Sequence, residues 1–227
     1  MTTRDAGGHV ARGRQSWTAN AAGWARAVRD GAIPSRRAGT DEAVMQAVLR
    51  GLPPRGHALD MGCGEGWLAR ALTAAGATVH GVDGSAPLID LARERGGSFD
   101  VLGYDEAVSA PSRLGGPFDV AVFNFALLTD NDAPVVRAAA SRLADGGRVV
   151  IQTVHPLAAG PPYRDGWREE SFTSLDGDFE PMPWYFRTLA SWVGVLADAG
   201  LRLGAVDEPT APDTEAPLSL VLTAVPA

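Results

Sequence analysis

The stretch from Ala58 to Leu72 reads ALDMGCGEGWLARAL and joins an apolar run to an amphipathic one through a glycine-rich turn. The run from His57 to Met61 is short and apolar, which is typical of a buried strand. Helical periodicity follows from Glu65 to Ala75, and Gly76 stops it. The stretch therefore predicts a strand, a tight turn and a helix, the unit at whose open end doubly wound sheets hold nucleotides.

Three glycines alternate through this turn at Gly62, Gly64 and Gly66, directly after the acidic Asp60 at the strand end. Glycine accepts positive φ and lets a ligand approach the backbone without a Cβ in the way. A plain tight turn accounts for one or two of these glycines. Three glycines beside a carboxylate favour a ligand-binding turn.

A dinucleotide site is the main alternative for the turn, and its fingerprint is G-x-G-x-x-G. Here the spacing is G-x-G-x-G, and Trp67 stands where the third glycine of that fingerprint belongs. Asp60 would also place a carboxylate against a pyrophosphate. The same carboxylate suits a ligand that carries ammonium and sulfonium groups, so the turn favours such a ligand over a nicotinamide cofactor.

Acidic residues also end the next two predicted strands. Asp83 lies 23 positions after Asp60, near the offset at which an acid meets ribose hydroxyls, and Leu88 follows where it would lie against an adenine ring. After the third strand, Asp105 and Glu106 offer carboxylates to an adenine amino group, although an ordinary solvated turn explains them equally well. Together with the glycine turn, this pattern predicts a nucleoside site.

Strands and helices alternate along the chain from His57 onward. Alternation of this kind predicts an α/β fold with a doubly wound, mostly parallel sheet and helices on both faces. The short connection between the last two strands predicts that they pair antiparallel. The predicted strands are 57–61, 78–82, 99–103, 118–123, 148–154, 202–206 and 218–224, and the predicted helices between them are 65–75, 87–95, 133–143 and 189–199.

Two helices are predicted ahead of the sheet, at Trp17–Val28 and Asp41–Leu49, the second capped by Thr40. We interpret residues 1–50 as a helical cap and residues 51–227 as the main part of the same domain. Residues 156–187 are rich in proline, glycine and aromatic side chains and lack periodicity, which indicates a lid inserted into that domain.

Composition narrows the classes of function. A chain of 227 residues with 45% hydrophobic content favours one domain, and the net charge of −7 without a basic cluster argues against nucleic-acid partners. The polar start of the chain, the lack of a membrane-length apolar run and the single cysteine favour a cytoplasmic protein. We expect a monomer or homodimer. One cysteine and four scattered histidines give no metal-ligand spacing.

Five segments of the chain resemble the successive motifs of class I S-adenosylmethionine (SAM)-dependent methyltransferases. The likeness is greatest to the small-molecule enzymes that resemble those of ubiquinone and menaquinone biosynthesis, and it extends over about 58–199 and the last strand. It implies a seven-stranded Rossmann-like sheet whose final strand is antiparallel. The segments are ALDMGCGEGWLARAL, VHGVDGS, the acidic pair after the third strand, FDVAVFNFALL and RLADGGRVVIQTVHP.

By this resemblance SAM is the cofactor, and its parts are assigned to successive strand ends. Asp60, Gly62 and Gly64 would contact the methionine part, Asp83 the ribose and Asp105 the adenine, while the segment 124–127 would pass near the sulfonium. The full set of predicted cofactor residues is Asp60, Gly62, Cys63, Gly64, Gly66, Asp83, Gly84, Ser85, Leu88, Tyr104, Asp105, Glu106, Asn124, Phe125, Leu127 and Arg37.

The methyl acceptor is predicted to be a small molecule. The place after the fourth strand where methylases of nucleic-acid bases carry N-P-P-Y or D-P-P-Y reads Asn-Phe-Ala-Leu here. His155 follows the fifth strand, where a histidine would serve as a general base or be tied to the backbone before Pro156.

Aromatic side chains gather in the lid and in the first helix. Flat apolar walls suit a cyclic or aromatic acceptor, although a flap that only fills its own small core is the alternative. The predicted acceptor-binding residues are Trp17, Trp24, His155, Tyr163, Trp167, Trp184 and Tyr185.

The methionine carboxylate of the cofactor needs a positively charged partner. Either Arg36 or Arg37 would pair with it, unless both are solvated.

These observations favour an O- or N-methyltransferase of a small molecule, of a kind used in secondary metabolism. A cyclase or isomerase that keeps SAM as an electrostatic element needs the same pocket and stays open. A nicotinamide-dependent oxidoreductase and a non-catalytic binding protein are less favoured.

Overall fold

The computed structural model describes residues 3–227, with side chains from Gly7 onward, and a seven-stranded sheet forms its centre. The strands are β1 His57–Met61, β2 Thr78–Asp83, β3 Ser98–Val101, β4 Phe118–Asn124, β5 Leu143–Val154, β6 Gly166–Glu170, β7 Met182–Phe186, β8 Leu201–Asp207 and β9 Ser219–Pro226. The strand order in the sheet is β3-β2-β1-β4-β5-β9-β8, and β6 and β7 form a separate two-stranded hairpin.

The sheet is parallel from β3 to β5, and β9 pairs antiparallel with both β5 and β8. The predicted α/β fold class, the seven strands and the antiparallel last strand are confirmed. Because the chain winds outward in both directions from β1, the carboxyl ends of β1, β2 and β4 meet at the switch point where such sheets bind ligands.

Helices cover both faces of the sheet. The helices are α1 Thr3–Arg29, α2 Asp41–Leu49, α3 Trp67–Ala74, α4 Ala86–Glu94, α5 Tyr104–Ser109, α6 Ala133–Ala140 and α7 Leu189–Asp198. Alternate residues of each strand point to opposite faces, so Leu59 and Phe123 pack against α6 and α7, while Ala58 and Val122 pack against α2 and α3.

The first helix is much longer than predicted, since α1 begins at Thr3 and not near Trp17. The first part of this helix is polar and shows no apolar face in the sequence, because the surface that it contacts belongs to the lid, far away in sequence. The Thr40 cap is also wrong: its side chain makes no capping bond, because the π-helical turn 36–40 runs directly into α2. No helix in the described range 3–227 is long and apolar enough to cross a membrane.

Three further differences lie after the third strand. The predicted turn at Tyr104 is the helix α5, and the strand predicted from Arg148 starts earlier, at Leu143, because a bulge lets this segment pair with Phe118. The lid, predicted as irregular, contains the β6–β7 hairpin. Its strands lack strict alternation of polar and apolar residues because both of their faces carry aromatic side chains.

Candidate functional site

The glycine turn between β1 and α3 has positive φ at all three alternating glycines, with values of 72°, 56° and 79° at Gly62, Gly64 and Gly66. A Cβ on Gly62 would lie 2.6 Å from the Cβ of Ala126, and one on Gly66 would lie 2.5 Å from the Phe99 ring. A Cβ on Gly64 would meet nothing within 4 Å. Packing inside the protein therefore explains two of the glycines, while Gly64 faces open space.

Asp83 ties the turn to the next strand. Its Oδ2 accepts a hydrogen bond from the Gly64 N–H at 3.0 Å, and its Oδ1 accepts one from the Ser85 N–H at 2.8 Å. Burial raises the pKa of this carboxyl above its ordinary value, while the two backbone bonds lower it. Each oxygen keeps one lone pair, so the carboxylate can still accept from two ribose hydroxyls.

Asp60 lies at the end of β1 and is 1% exposed. Burial, followed by the nearby Asp83 carboxylate, raises its pKa from 3.8 to about 7, while a backbone hydrogen bond from Ala69 lowers it. Within residues 3–227, Asp60 Oδ2, Ser85 Oγ and Asn124 Oδ1 are buried without a hydrogen-bond partner. These oxygens lie at or beside the carboxyl ends of β1, β2 and β4, and their chemistry fits a ligand with cationic and hydroxyl groups.

Cys63 and Tyr104 support the turn from within the protein. The Cys63 thiol is buried, and burial raises its pKa well above the ordinary value. Tyr104 Oη donates to the carbonyl of Ala126 at 3.1 Å and would lie 2.7 Å from a Cβ on Gly62. The side chains of both residues are therefore packed against the turn, and contact with a ligand would come from the Cys63 backbone.

The two predicted adenine ligands lie in different surroundings. Asp105 is exposed, and its Oδ2 lies 2.5 Å from Nη2 of Arg14 on α1. Glu106 caps α5 by accepting from the Gly103 N–H at 3.1 Å, and it pairs with Arg113 at 2.7 Å, which lowers its pKa. The Glu106 carboxylate is thus used within the protein, and of the two only Asp105 remains a candidate for the adenine.

The segment after β4 begins with a backbone conformation that is uncommon for a side chain as large as that of Phe125. Its φ is 52°, and its N–H donates to the carbonyl of Gln152 at 2.8 Å. Leu127 and Leu88 are 3% and 2% exposed, respectively. Leu127 packs into the apolar layer beneath the sheet, which removes it from the predicted sulfonium contacts. Asn124 and Phe125 remain at the site.

Of the two arginines predicted near the methionine carboxylate, Arg36 is fixed in place. It makes a two-pronged ion pair with Asp41 at 2.8 and 2.9 Å, and its guanidinium lies 4.1 Å from the centre of the Trp67 ring. Arg37 is exposed and makes no hydrogen bond or ion pair within the described residues. Trp67, directly after the third glycine, therefore packs against the Arg36 guanidinium.

His155 is buried, and both of its ring nitrogens are engaged. Nδ1 accepts from the Leu157 N–H at 3.1 Å, so Nε2 carries the proton and donates to Glu208 at 2.8 Å. No lone pair remains free for taking a proton from an acceptor. The prediction of His155 as a general base therefore disagrees with the geometry, and the structural alternative agrees with it.

A cover over the carboxyl edge of the sheet is formed by α1 and the lid, residues 156–187. Asn20 exchanges two hydrogen bonds of 2.8 Å with the backbone of Glu180, and Gly23 allows the Phe179 ring to approach α1. Trp24 lies 5.2 Å from Trp17 and 6.1 Å from Phe172, measured between ring centres. The two predicted tryptophans of α1 thus belong to the contact between α1 and the lid.

The four aromatic residues predicted on the lid divide into two pairs. Trp167 contacts Tyr185 across the hairpin at 5.5 Å and stacks on His9 of α1 at 4.6 Å. The Tyr185 N–H donates to the carbonyl of Leu128 at 2.9 Å, which places this pair beside the segment after β4. Two residues lie away from that pair: Trp184 packs on Phe186 at 6.2 Å, and Tyr163 is exposed and accepts from the Leu189 N–H at 3.1 Å.

Comparison with known proteins identifies the family that has this fold and site. Residues 36–205 match the family described as methyltransferase domain. The chain belongs to that family. This methyltransferase finds no match among curated protein sequences.

Solved structures similar to this methyltransferase share its fold at low sequence identity. A SAM-dependent methyltransferase from Mesorhizobium loti is 23% identical with a TM-score of 0.60, over 82% of this chain and 98% of that one. The 1,6-didemethyltoxoflavin-N1-methyltransferase of Burkholderia thailandensis, with bound S-adenosylhomocysteine (SAH), is 18% identical with a TM-score of 0.65, over 96% and 89%. Magnesium protoporphyrin IX methyltransferase from Synechocystis with bound SAM is 18% identical with a TM-score of 0.57, over 84% and 80%.

Sequence reasoning missed two buried charged residues that shape this methyltransferase. Glu65, inside the glycine turn, is 4% exposed and pairs with Arg70 of α3 at 2.5 Å. Arg187, at the end of the lid, pairs with Asp132 at 3.2 Å. A charged residue beside a turn usually indicates a solvated surface. The signal in the sequence that could have indicated burial of Glu65 is Arg70, an oppositely charged residue five positions later.

Proposed function

We propose that the chain transfers the methyl group of SAM to an oxygen or nitrogen atom of a small cyclic or aromatic molecule. The observation that carries this proposal is Gly64, which lies at the switch point of the sheet, faces open space and donates its N–H to Asp83 Oδ2. Membership of the methyltransferase family supports the type of reaction. SAM supplies a methyl group on a positively charged sulfur.

The residues of this chain hold and orient the reactants. Asp83 accepts from the ribose hydroxyls, Asp60 faces the cationic end, and the exposed Asp105 is the candidate for the adenine amino group. Arg37 is the candidate for the methionine carboxylate, since Arg36 is already paired with Asp41. Orientation and exclusion of water lower the barrier to methyl transfer without a dedicated base, and the proton of the acceptor passes to water.

The cover supplies the acceptor site in this proposal. Trp167 and Tyr185 lie on the side of the hairpin that faces α1 and the segment after β4, and Trp167 Nε1 is a buried donor without a partner in the described chain. Flat apolar walls with one polar group suit a cyclic acceptor. Two of the similar structures are methyltransferases named for 1,6-didemethyltoxoflavin and for magnesium protoporphyrin IX, which favours acceptors of this kind.

Calorimetry with SAM and with NAD tests the cofactor. We expect SAM to bind with a Kd in the micromolar range and NAD to show no binding at the same concentrations, since a carboxylate at Asp60 repels a pyrophosphate. Incubation with methyl-labelled SAM and a panel of cyclic hydroxyl and amino compounds then tests the reaction. Labelled product with one SAH per methyl group supports transfer, whereas conversion of a compound without SAH favours the cyclase or isomerase alternative.

Replacing His155 by glutamine is expected to lower kcat less than about tenfold, because both ring nitrogens are already used within the protein. The rate is measured at saturating SAM with the best acceptor of the panel, and the Tm of the variant shows whether the fold is retained. A fall of more than about a hundredfold in a folded variant would restore His155 as the base.

A further inference from the structure

The stack of His9 on Trp167 differs from the other aromatic contacts of the protein. The two ring planes lie 18° apart with their centres separated by 4.6 Å, so the imidazole lies flat on the indole. Among the residues that the structure describes, the other aromatic pairs meet edge-on or tilted. One face of Trp167 therefore holds a planar heteroaromatic ring that is a side chain of the protein itself.

A series of contacts connects this face with the glycine turn. Tyr185 meets Trp167 edge-on across the hairpin, with ring centres 5.5 Å apart, and its N–H donates to the carbonyl of Leu128 at 2.9 Å. The same segment after β4 carries Ala126, whose Cβ lies 2.6 Å from the position of a Cβ on Gly62. Trp167 therefore lies over the same edge of the sheet as the glycine turn.

The helix α1 is fastened to the lid from Ser16 onward. Ser16 Oγ donates to the carbonyl of Glu180 at 3.0 Å, and the buried contacts between α1 and the lid follow from there. For the described side chains of residues 7–15, the polar and aromatic contacts to the rest of the chain are an exposed ion pair with α5 and the stack of His9. An exposed ion pair contributes little to stability. The first turns of α1 are thus held mainly by the His9 ring.

The residues directly before His9 add little to this attachment. Gly7 and Gly8 are poor helix formers, and a Cβ on either would meet nothing within 4 Å among the described atoms. Helix ends with few packing contacts open at low cost in free energy. Unwinding of the first turns would take His9 off Trp167, while the contacts from Ser16 onward keep the cover in place.

We propose that His9 occupies the place of the methyl acceptor, and that a planar aromatic or heteroaromatic acceptor displaces the imidazole and stacks on the freed face of Trp167. This inference rests on the proposed acceptor site and adds to it the shape of the acceptor and a side chain that competes with it. A benzene-sized or fused ring covers more of the indole than an imidazole does, so the exchange favours the acceptor. A saturated ring is puckered and makes fewer contacts with a flat surface.

Calorimetric titration of the protein saturated with SAH measures acceptor binding without turnover. Each planar compound of the panel is paired with its saturated counterpart, for example 2-naphthol with decahydro-2-naphthol. We expect His9→Ala to lower the Kd of the planar compounds about threefold to tenfold, because the competing stack is absent. The Kd of the saturated compounds and that of SAH should stay within about twofold of the wild-type values.

Two further variants show that the effect belongs to the stacked ring. His9→Phe loses the hydrogen bond to Arg12, as His9→Ala does, but keeps a flat ring, so it should bind planar compounds no more tightly than the wild-type protein does. In a Trp167→Leu background, His9→Ala should leave the Kd of planar compounds unchanged, because the surface that both rings share is gone. The Tm of each variant shows whether the fold is retained.

Equal tightening of planar and saturated compounds in His9→Ala would overturn the inference, and so would the same tightening in His9→Phe. Weaker binding of planar compounds in His9→Ala would overturn it as well, since His9 would then be part of the acceptor wall. Absence of binding by every planar compound to either protein counts against it too. Failure of the proposed function gives a different result, because planar compounds would then bind as expected while labelled SAM yields no methylated product.

Discussion

Replacement of Asp83 by alanine is expected to weaken SAM binding by about a hundredfold or more. The carboxylate is the proposed partner of both ribose hydroxyls, and hydrogen bonds to a charged group contribute about 1.5–3 kcal/mol each. The same change also frees the Gly64 and Ser85 N–H groups that shape the turn. Calorimetric titration of wild-type and variant protein with SAM measures the difference.

Two variants show whether the loss belongs to the ribose contact. Asp83→Asn keeps the size of the side chain and one oxygen acceptor, which can hold one of the two backbone N–H groups, so it should lose less affinity than the alanine variant. Asp90→Ala, on the exposed side of α4, removes an acidic residue of the same region and should leave the affinity within about twofold, because exposed charges contribute little. A folded Asp83→Ala protein with unchanged affinity would contradict the assignment of the site.

The part of the site that could be predicted from sequence is the part built from local contacts. The β1 strand, the three glycines and Asp60 lie within ten residues, and β1 has the predicted boundaries. Asp83 could be placed as well, because a parallel neighbour of β1 must end at the same edge of the sheet. Spacing alone carries this information, since strand, turn and helix each have a characteristic sequence pattern.

The parts that could not be predicted depend on partners far away in sequence. His155 has the position of a base, but its proton is committed to Glu208, 53 residues later. The N-terminal half of α1 is a helix whose contact face becomes recognisable only beside the lid, since His9 stacks on Trp167 and Ser16 donates to the carbonyl of Glu180, 164 residues away. Such contacts leave no periodic pattern in the sequence of either partner.

Glu106 shows the same limit over a short distance. As a residue of a turn it would be free to accept from a ligand, whereas as the third residue of α5 its side chain caps that helix. A helix of six residues gives too little periodicity for detection in a sequence. Whether the Glu106 carboxylate is free for a ligand therefore depends on the presence of this short helix.

Replacement of Arg187 by methionine is expected to destabilise the protein by about 3–5 kcal/mol, because removing one partner of a buried ion pair leaves the other charge uncompensated. Arg187 and Asp132 have side chains that are 5% and 1% exposed, and the arginine also donates to the carbonyl of Thr129 at 2.6 Å. Urea-induced unfolding, followed by circular dichroism, measures the free energy of unfolding of both proteins.

The double variant Arg187→Met, Asp132→Leu is the matched control. It removes both charges together, and replacing a buried pair by apolar side chains of similar size is often nearly neutral. The double variant should therefore be more stable than Arg187→Met alone. A loss of stability equal to the sum of the losses in Arg187→Met and in Asp132→Leu would show that the pair is not coupled.

The pH dependence of the single variant separates the loss of a charge partner from a simple loss of packing. Burial raises the pKa of Asp132, and in the wild-type protein Arg187 opposes that rise. Without the arginine the folded state holds the proton of Asp132 more tightly than the unfolded chain does, so the variant gains stability as the pH falls toward the ordinary carboxyl range. The difference from wild type should therefore be smaller at pH 5 than at pH 8, whereas a packing defect would cost the same at both.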